Sequence, residues 1–98
     1  HYCLGMLTLR GGNPLNPADW VKCKEPVFVE SEGTHGPGHC SFVKAKDGKT
    51  DFIIYHARRD AKGGWVGRGM RAQPFTWDGD VPVFGAAATP EDDIEIPV

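Results

Sequence analysis

The stretch from His39 to His56, HCSFVKAKDGKTDFIIYH, decides the fold. Two segments able to extend, His39 to Ala45 and Asp51 to His56, flank Lys46-Asp47-Gly48-Lys49. Asp-Gly suits a tight turn that needs positive φ, so the stretch predicts a β-hairpin. Working outward, Arg68 to Trp77 is a third strand, and its Pro74 marks an edge position or a bulge. Trp77-Asp78-Gly79-Asp80 is a second hairpin turn leading into a strand from Val81 to Phe84. The fold class predicted is all-β and antiparallel, with hairpins in succession.

The rest of the chain agrees with that pattern. Thirteen glycines and eight prolines separate short apolar runs. His1 to Leu9 is predicted as a strand, Arg10 to Asn13 as a Gly-rich loop, and Pro26 to Val29 as a short extended piece. Asn16-Pro17-Ala18-Asp19-Trp20 reads as an Asn cap, a Pro at the first helical position and one short turn. Ser31 to Gly38 is predicted as a loop, and Ala86 to Val98 as a small, acidic surface tail. No helix of three turns and no internal repeat is read.

Composition narrows the function. The chain has 98 residues, 40% hydrophobic and 24% charged, which describes one small globular unit with a thin core. Eleven basic residues against thirteen acidic ones give a net charge of −2. Nothing in that balance attracts nucleic acid or an anionic membrane, so neither is expected as a partner. The longest apolar runs, such as Phe52 to Tyr55, are far too short to span a bilayer. The chain starts at His1 without a signal sequence, and a piece or processed form of a longer protein is expected. Cys3, Cys23 and Cys40 match no close Cys-x-x-Cys zinc spacing. They read as small buried apolar residues, with one disulfide pair as an alternative.

Taken in order, the segments resemble glycoside hydrolase family 43. The markers are Gly36-Pro37-Gly38-His39, Ser41-Phe42, Asp47-Gly48 and Ile54-Tyr55-His56-Ala57. They continue through Gly67-Arg68-Gly69-Met70-Arg71-Ala72-Gln73-Pro74-Phe75-Thr76-Trp77-Asp78 and Pro82-Val83-Phe84-Gly85. Tyr2 to Thr8, Asp19-Trp20 and Pro26-Val27-Phe28 fit the same pattern upstream. Each piece is weak alone; their order and spacing carry the match.

The resemblance implies the C-terminal part of a five-bladed β-propeller, each blade a four-stranded antiparallel sheet. Residues 1–30 would end one blade and form a linker, residues 36–85 would form the last blade, and residues 86–98 a surface tail. The implied activity is inverting hydrolysis of arabinose- and xylose-containing plant polysaccharides. In such chemistry two carboxyl groups stand roughly 6.5–9.5 Å apart, one protonating the leaving oxygen and the other activating water. The family's catalytic acids lie in earlier blades and no residue here matches them. No catalytic residue is therefore expected in this chain, and hydrolysis by it alone is not expected. Its partners would be a pentose-containing saccharide and either the missing N-terminal blades or further copies of itself. The alternative is a carbohydrate-binding or self-assembling propeller fragment without hydrolysis.

Two positions carry over. His39 matches a histidine at the propeller axis facing calcium or water, which makes calcium the one cofactor implied. Arg68 matches an arginine lining the sugar pocket, where a guanidinium donates to hydroxyls and carboxylates. Without the resemblance, His39 is an ordinary loop histidine with one local hydrogen bond. Period two places Arg68 and Arg71 on opposite faces, and Arg71 reads as a surface arginine. Trp65, between Gly64 and Val66, is the candidate exposed aromatic for sugar stacking, whereas Trp20 and Trp77 read as packing residues. His35 and His56 read as solvent-facing or locally satisfied. Asp47 and Asp78 are explained by their turns, and Glu91, Asp92, Asp93 and Glu95 by a solvated tail.

Overall fold

The computed structural model describes residues 2–62 and 65–97. Its elements are β1 (Leu7–Leu9), β2 (Trp20–Lys22), β3 (His35–Lys44), β4 (Asp51–Arg58), β5 (Gly69–Asp78) and β6 (Val81–Val83). A 3-10 turn, Pro17–Asp19, precedes β2, and the Asn16 side chain caps it by accepting from the Ala18 N–H at 3.0 Å. Strands β1 and β2 form a two-stranded sheet, and β3-β4-β5-β6 form a four-stranded one in chain order. Every pairing is antiparallel. The second sheet has the strand content of one propeller blade.

The decisive hairpin forms where its sequence places it, with Lys44 paired to Asp51. Gly48 sits at φ 70°, which any Cβ would resist. Asp47 holds the turn by accepting from the Lys49 and Thr50 amides and the Thr50 hydroxyl, at 2.8, 2.9 and 2.6 Å. Those three bonds, the Thr50 hydroxyl first, keep the Asp47 carboxyl below the usual carboxylate range. A depressed carboxyl stabilises above its unfolded pKa, and that help is lost as pH falls through the folded value. Acidification below about pH 4 is therefore expected to lower the protection of the Thr50 amide relative to its intrinsic exchange rate. An Asp47→Ala variant should lack that acid response, and an unchanged response would remove the carboxylate from the explanation.

Two strand expectations are corrected. The predicted strand from His1 to Leu9 shrinks to Leu7–Leu9, and His1 lies outside the described residues. Upstream of β1, Leu4 makes only a single bridge, to Phe28. The predicted loop from Ser31 to Gly38 is a strand from His35 onward, interrupted by register shifts between His35 and Gly38 and between Gly38 and Ser41. Each shift sets one extra residue of β3 against β4, which is how a β-bulge carries Gly and Pro inside a strand. Pro74 makes no bulge, because β4 and β5 stay in register from Asp51–Phe75 to Ala57–Gly69. The β6 ladder stops at Thr76, so Pro74 stands where β5 is locally an edge.

Strand β4 is central and carries buried residues on both faces. Ile53, Tyr55 and Ala57 join Phe75, Phe84, Ala87 and Phe28 in one core, with Leu4, Val27 and Cys40 packed against it. Phe28 meets Tyr55 edge-on with centroids 4.9 Å apart, so the N-terminal segment and the blade share that core. The tail is not all surface. Ala87 is buried, and a turn closed by Ser31 and Thr34 clasps the chain beside it. The Ser31 hydroxyl donates to the Ala87 carbonyl and the Thr34 hydroxyl to the Ala88 carbonyl, both at 2.6 Å. Arg71, expected at the surface, is part of this clasp and donates to Thr34 Oγ1 at 2.6 Å and the Gly33 carbonyl at 3.1 Å. All three cysteines are free: Cys3 is exposed, and Cys23 and Cys40 are half-buried. No helix among the described residues is long and apolar enough to cross a membrane.

Candidate functional site

Arg68 precedes β5 directly and leans toward the double-bulged start of β3. Its Nη1 donates to the Gly36 carbonyl at 2.6 Å and contacts His56 Nδ1 at 2.9 Å. The guanidinium carbon lies 4.8 Å from the Tyr2 ring centroid and 6.0 Å from that of Trp65. Tyr2 and Trp65 meet edge-on at 5.6 Å. Trp65 is 71% exposed, so most of its surface faces solvent. Arg68 thus sits among two aromatic rings and an imidazole, at distances suited to cation–π attraction.

Glycines make the approach possible. A Cβ on Gly36 would come 2.8 Å from Arg68 Nη2, and one on Gly38 would come 3.0 Å from Tyr2 Cδ2. Gly36 also sits at φ 63°. The Gly36-Pro37-Gly38 run therefore sets the backbone close enough for Arg68 and Tyr2 to rest against it.

The next residue, His39, is the one described non-glycine with positive φ, at 51°. It lies in the second bulge and is exposed, with its ring centroid 5.8 Å from that of His56. Bulges re-aim side chains beside sites, and this one turns an imidazole to the rim of the cluster. His56 is held below the ordinary histidine pKa by burial first, then by the charges of Arg68 and His39. On the far side of the loop, Asp60 accepts from Arg58 at 2.9 Å and from the Lys62 amide at 3.0 Å, fixing the start of the segment that carries Trp65. Gly64 lies outside the described residues.

All three residues singled out in the sequence, His39, Trp65 and Arg68, gather in this one cluster. Two members were missed. Of the two expectations for His56, solvent-facing or locally satisfied, the structure gives the second: it is half-buried and bonded to Arg68. Tyr2 carried no site reading. Trp77 is 52% exposed, its ring 5.6 Å from Phe75 and its Nε1 donating to Asp51 at 2.9 Å. Trp20 donates from Nε1 to the Pro14 carbonyl at 2.9 Å.

The donor set does not fit calcium by itself. That ion takes six to eight oxygen ligands, chiefly carboxylates, carbonyls and water. This cluster has no carboxylate, the Gly36 carbonyl already accepts from Arg68, and a guanidinium adds like charge. Among the described residues no group of three His, Cys, Asp or Glu could hold a metal. If such an ion were bound near His39, this chain would offer one imidazole and the oxygen ligands would have to come from elsewhere.

Comparison with known proteins places the cluster in context. The chain is 42% identical to an alpha-L-arabinofuranosidase 43 of Humicola insolens. It is 43% identical to an extracellular exo-alpha-(1->5)-L-arabinofuranosidase of Streptomyces avermitilis. Each alignment covers 87% of this chain and 20% of the relative, so the chain spans about a fifth of the length of these proteins. The crystal structure of an alpha-L-arabinofuranosidase from Lactobacillus brevis matches it with a TM-score of 0.82 and 36% identity, over 93% of this chain and 31% of that one. A family model covers the bulged strand, both hairpins and the arginine cluster in a single match over residues 1–82, and the chain belongs to the glycosyl hydrolases of family 43.

Proposed function

We propose that this chain forms one wall of the sugar pocket of a glycosidase acting on arabinose-containing saccharides. The observation that carries the reading is Arg68, oriented by Gly36 and His56 beside the faces of Tyr2 and Trp65. A pentose ring presents C–H faces and hydroxyl edges. The aromatic rings suit the faces, and a guanidinium, which can only donate, suits the hydroxyl oxygens. The named activities of the relatives supply the arabinose.

The cluster contains no carboxylate, so the acid and base of hydrolysis come from outside these residues. In this reading the wall binds and orients, and the remaining blades supply the proton transfers. The chain alone should release no nitrophenol from nitrophenyl arabinofuranoside. In a polypeptide joining residues 1–98 to a whole propeller, Arg68→Ala is expected to lower kcat/KM by about 10- to 100-fold, as loss of a charged hydrogen bond to substrate does. Unchanged kcat/KM would remove Arg68 from the pocket.

A second reading, sugar binding or self-assembly without hydrolysis, is compatible with one observation. An open apolar cavity of about 530 Å3 lies between the two sheets, lined by Leu4, Leu7, Phe42, Phe75 and Trp77 among others. Blades of the same protein or a second copy would both cover it. Rescue of hydrolysis by adding the other blades separates the two readings, because the binding protein would stay inactive.

A further inference from the structure

We propose that His56 is a positioning residue for Arg68, and that the bond between them fixes His56 as a neutral ring with its proton on Nε2, a second uncharged donor for the saccharide. The inference rests on the sugar-pocket reading above and adds a residue and a protonation state to it.

The argument starts from donor arithmetic. A guanidinium has five N–H donors and no acceptor. Arg68 Nη1 stands 2.9 Å from His56 Nδ1, so for that contact to be a hydrogen bond Nδ1 must accept. An accepting Nδ1 carries no proton, and a neutral imidazole then holds its proton on Nε2. The Nδ1–H tautomer or the imidazolium would set donor against donor at the same distance.

The backbone holds the pair in place. His56 is opposite Gly38 on one side and Met70 on the other, in the middle strand of three. The ring is further confined by His39 at 5.8 Å and Trp65 at 6.5 Å between centroids. Arg68 has its second anchor at the Gly36 carbonyl. Two fixed acceptors on one nitrogen define where the guanidinium plane lies. Losing the His56 acceptor removes one of those two directions.

The consequence for recognition is chemical. Hydroxyl and ring oxygens of a neutral sugar accept from both a guanidinium and an imidazole N–H. With His56 held neutral, the cluster gains a donor at Nε2 without a second positive charge beside Arg68.

Two substitutions separate the acceptor from the ring. His56→Phe keeps a planar ring and removes Nδ1. His56→Asn loses the ring and places an amide oxygen near the position of Nδ1. The probe is α-1,5-linked arabinotriose, titrated into whichever polypeptide carries residues 1–98. His56→Phe, which loses both the acceptor for Arg68 and the Nε2 donor, is expected to weaken binding by more than about tenfold, and His56→Asn, which restores only the acceptor, to recover part of that loss. Equal binding by parent and His56→Phe, or equally weak binding by both variants, would overturn the positioning role.

Nitrogen-15 NMR of the free protein tests the pair without any sugar. The expected spectrum shows His56 protonated at Nε2 and bare at Nδ1, with slowed rotation of the Arg68 guanidinium that His56→Phe releases and His56→Asn retains. A protonated Nδ1 at neutral pH would overturn the proposal. A parent that shows the expected spectrum but does not bind arabinotriose would instead count against the sugar-pocket reading and leave the His56–Arg68 pair established.

Discussion

Replacing Phe28 with alanine is expected to destabilise the fold by about 3–5 kcal/mol, the range for emptying a buried phenylalanine site. Phe28 is 1% exposed and meets Tyr55 at 4.9 Å and Phe84 at 6.0 Å, both edge-on. Its backbone also pairs with Leu4, whose N–H donates to the Phe28 carbonyl at 2.9 Å. The N-terminal segment has few other anchors to the blade core, since β1 and β2 are three residues each and pair with one another. The loss would be a large part of the roughly 5–15 kcal/mol that holds an ordinary domain together. Losing Phe28 should also loosen Tyr2, two residues before Leu4, and so weaken its contact with Arg68. Urea unfolding with intrinsic fluorescence would measure the effect. A loss below about 1.5 kcal/mol would mean that the site collapses to fill the space.

Replacing Gln73 with leucine should cost about 2–4 kcal/mol, from buried polar partners left without bonds. The Gln73 amide oxygen accepts from the Tyr55 hydroxyl at 2.7 Å and from the Ala88 N–H at 2.8 Å. Its amide nitrogen donates to the Ala86 carbonyl at 3.0 Å. One side chain therefore satisfies a core tyrosine and both sides of the chain at Ala87. Leucine keeps comparable bulk and none of the three bonds. Gln73→Glu would keep the two acceptor bonds, lose the donor, and bury a charge. Hydrogen exchange at Ala88 provides the local readout. Fast exchange there in Gln73→Leu is expected, and unchanged protection would show that Ser31, Thr34 and Arg71 hold the tail by themselves.

The hairpins were legible because their turns need particular residues. Asp47-Gly48 and Asp78-Gly79 announced two reversals, and both formed with glycine at positive φ. Strand β3 was legible only from its second half. Gly36, Pro37 and Gly38 are loop residues by type, and only the partner strand turns them into a bulged extension. The same holds for the tail, since Ala86 to Thr89 has no pattern of its own and is held by Gln73, Ser31 and Thr34 from elsewhere. At the site, His39 and Arg68 could be picked out through family motifs, and Trp65 as an aromatic set among glycines. His56 could not, because its value depends on the register between β4 and β5. A ten-residue connection, residues 59–68, separates those strands and hides that register from sequence reading. Tyr2 was hidden for a different reason: only close backbone approach at Gly38 brings it to Arg68.

The two bulges of β3 bear on solubility as well as recognition. At ten residues β3 is as long as β5 and lies at the rim of its sheet, with one flank unpaired by any described strand. A long, flat rim of free N–H and C=O groups invites a strand from another molecule, the first step of aggregation. Here the rim is broken twice between His35 and Ser41, lacks an N–H at Pro37, and ends in the charged Lys44. An incoming strand would find a straight run of only four residues, Ser41 to Lys44, before the turn. The kinks that aim His39 and Arg68 thus also keep a chain still being synthesised from zipping onto its neighbours.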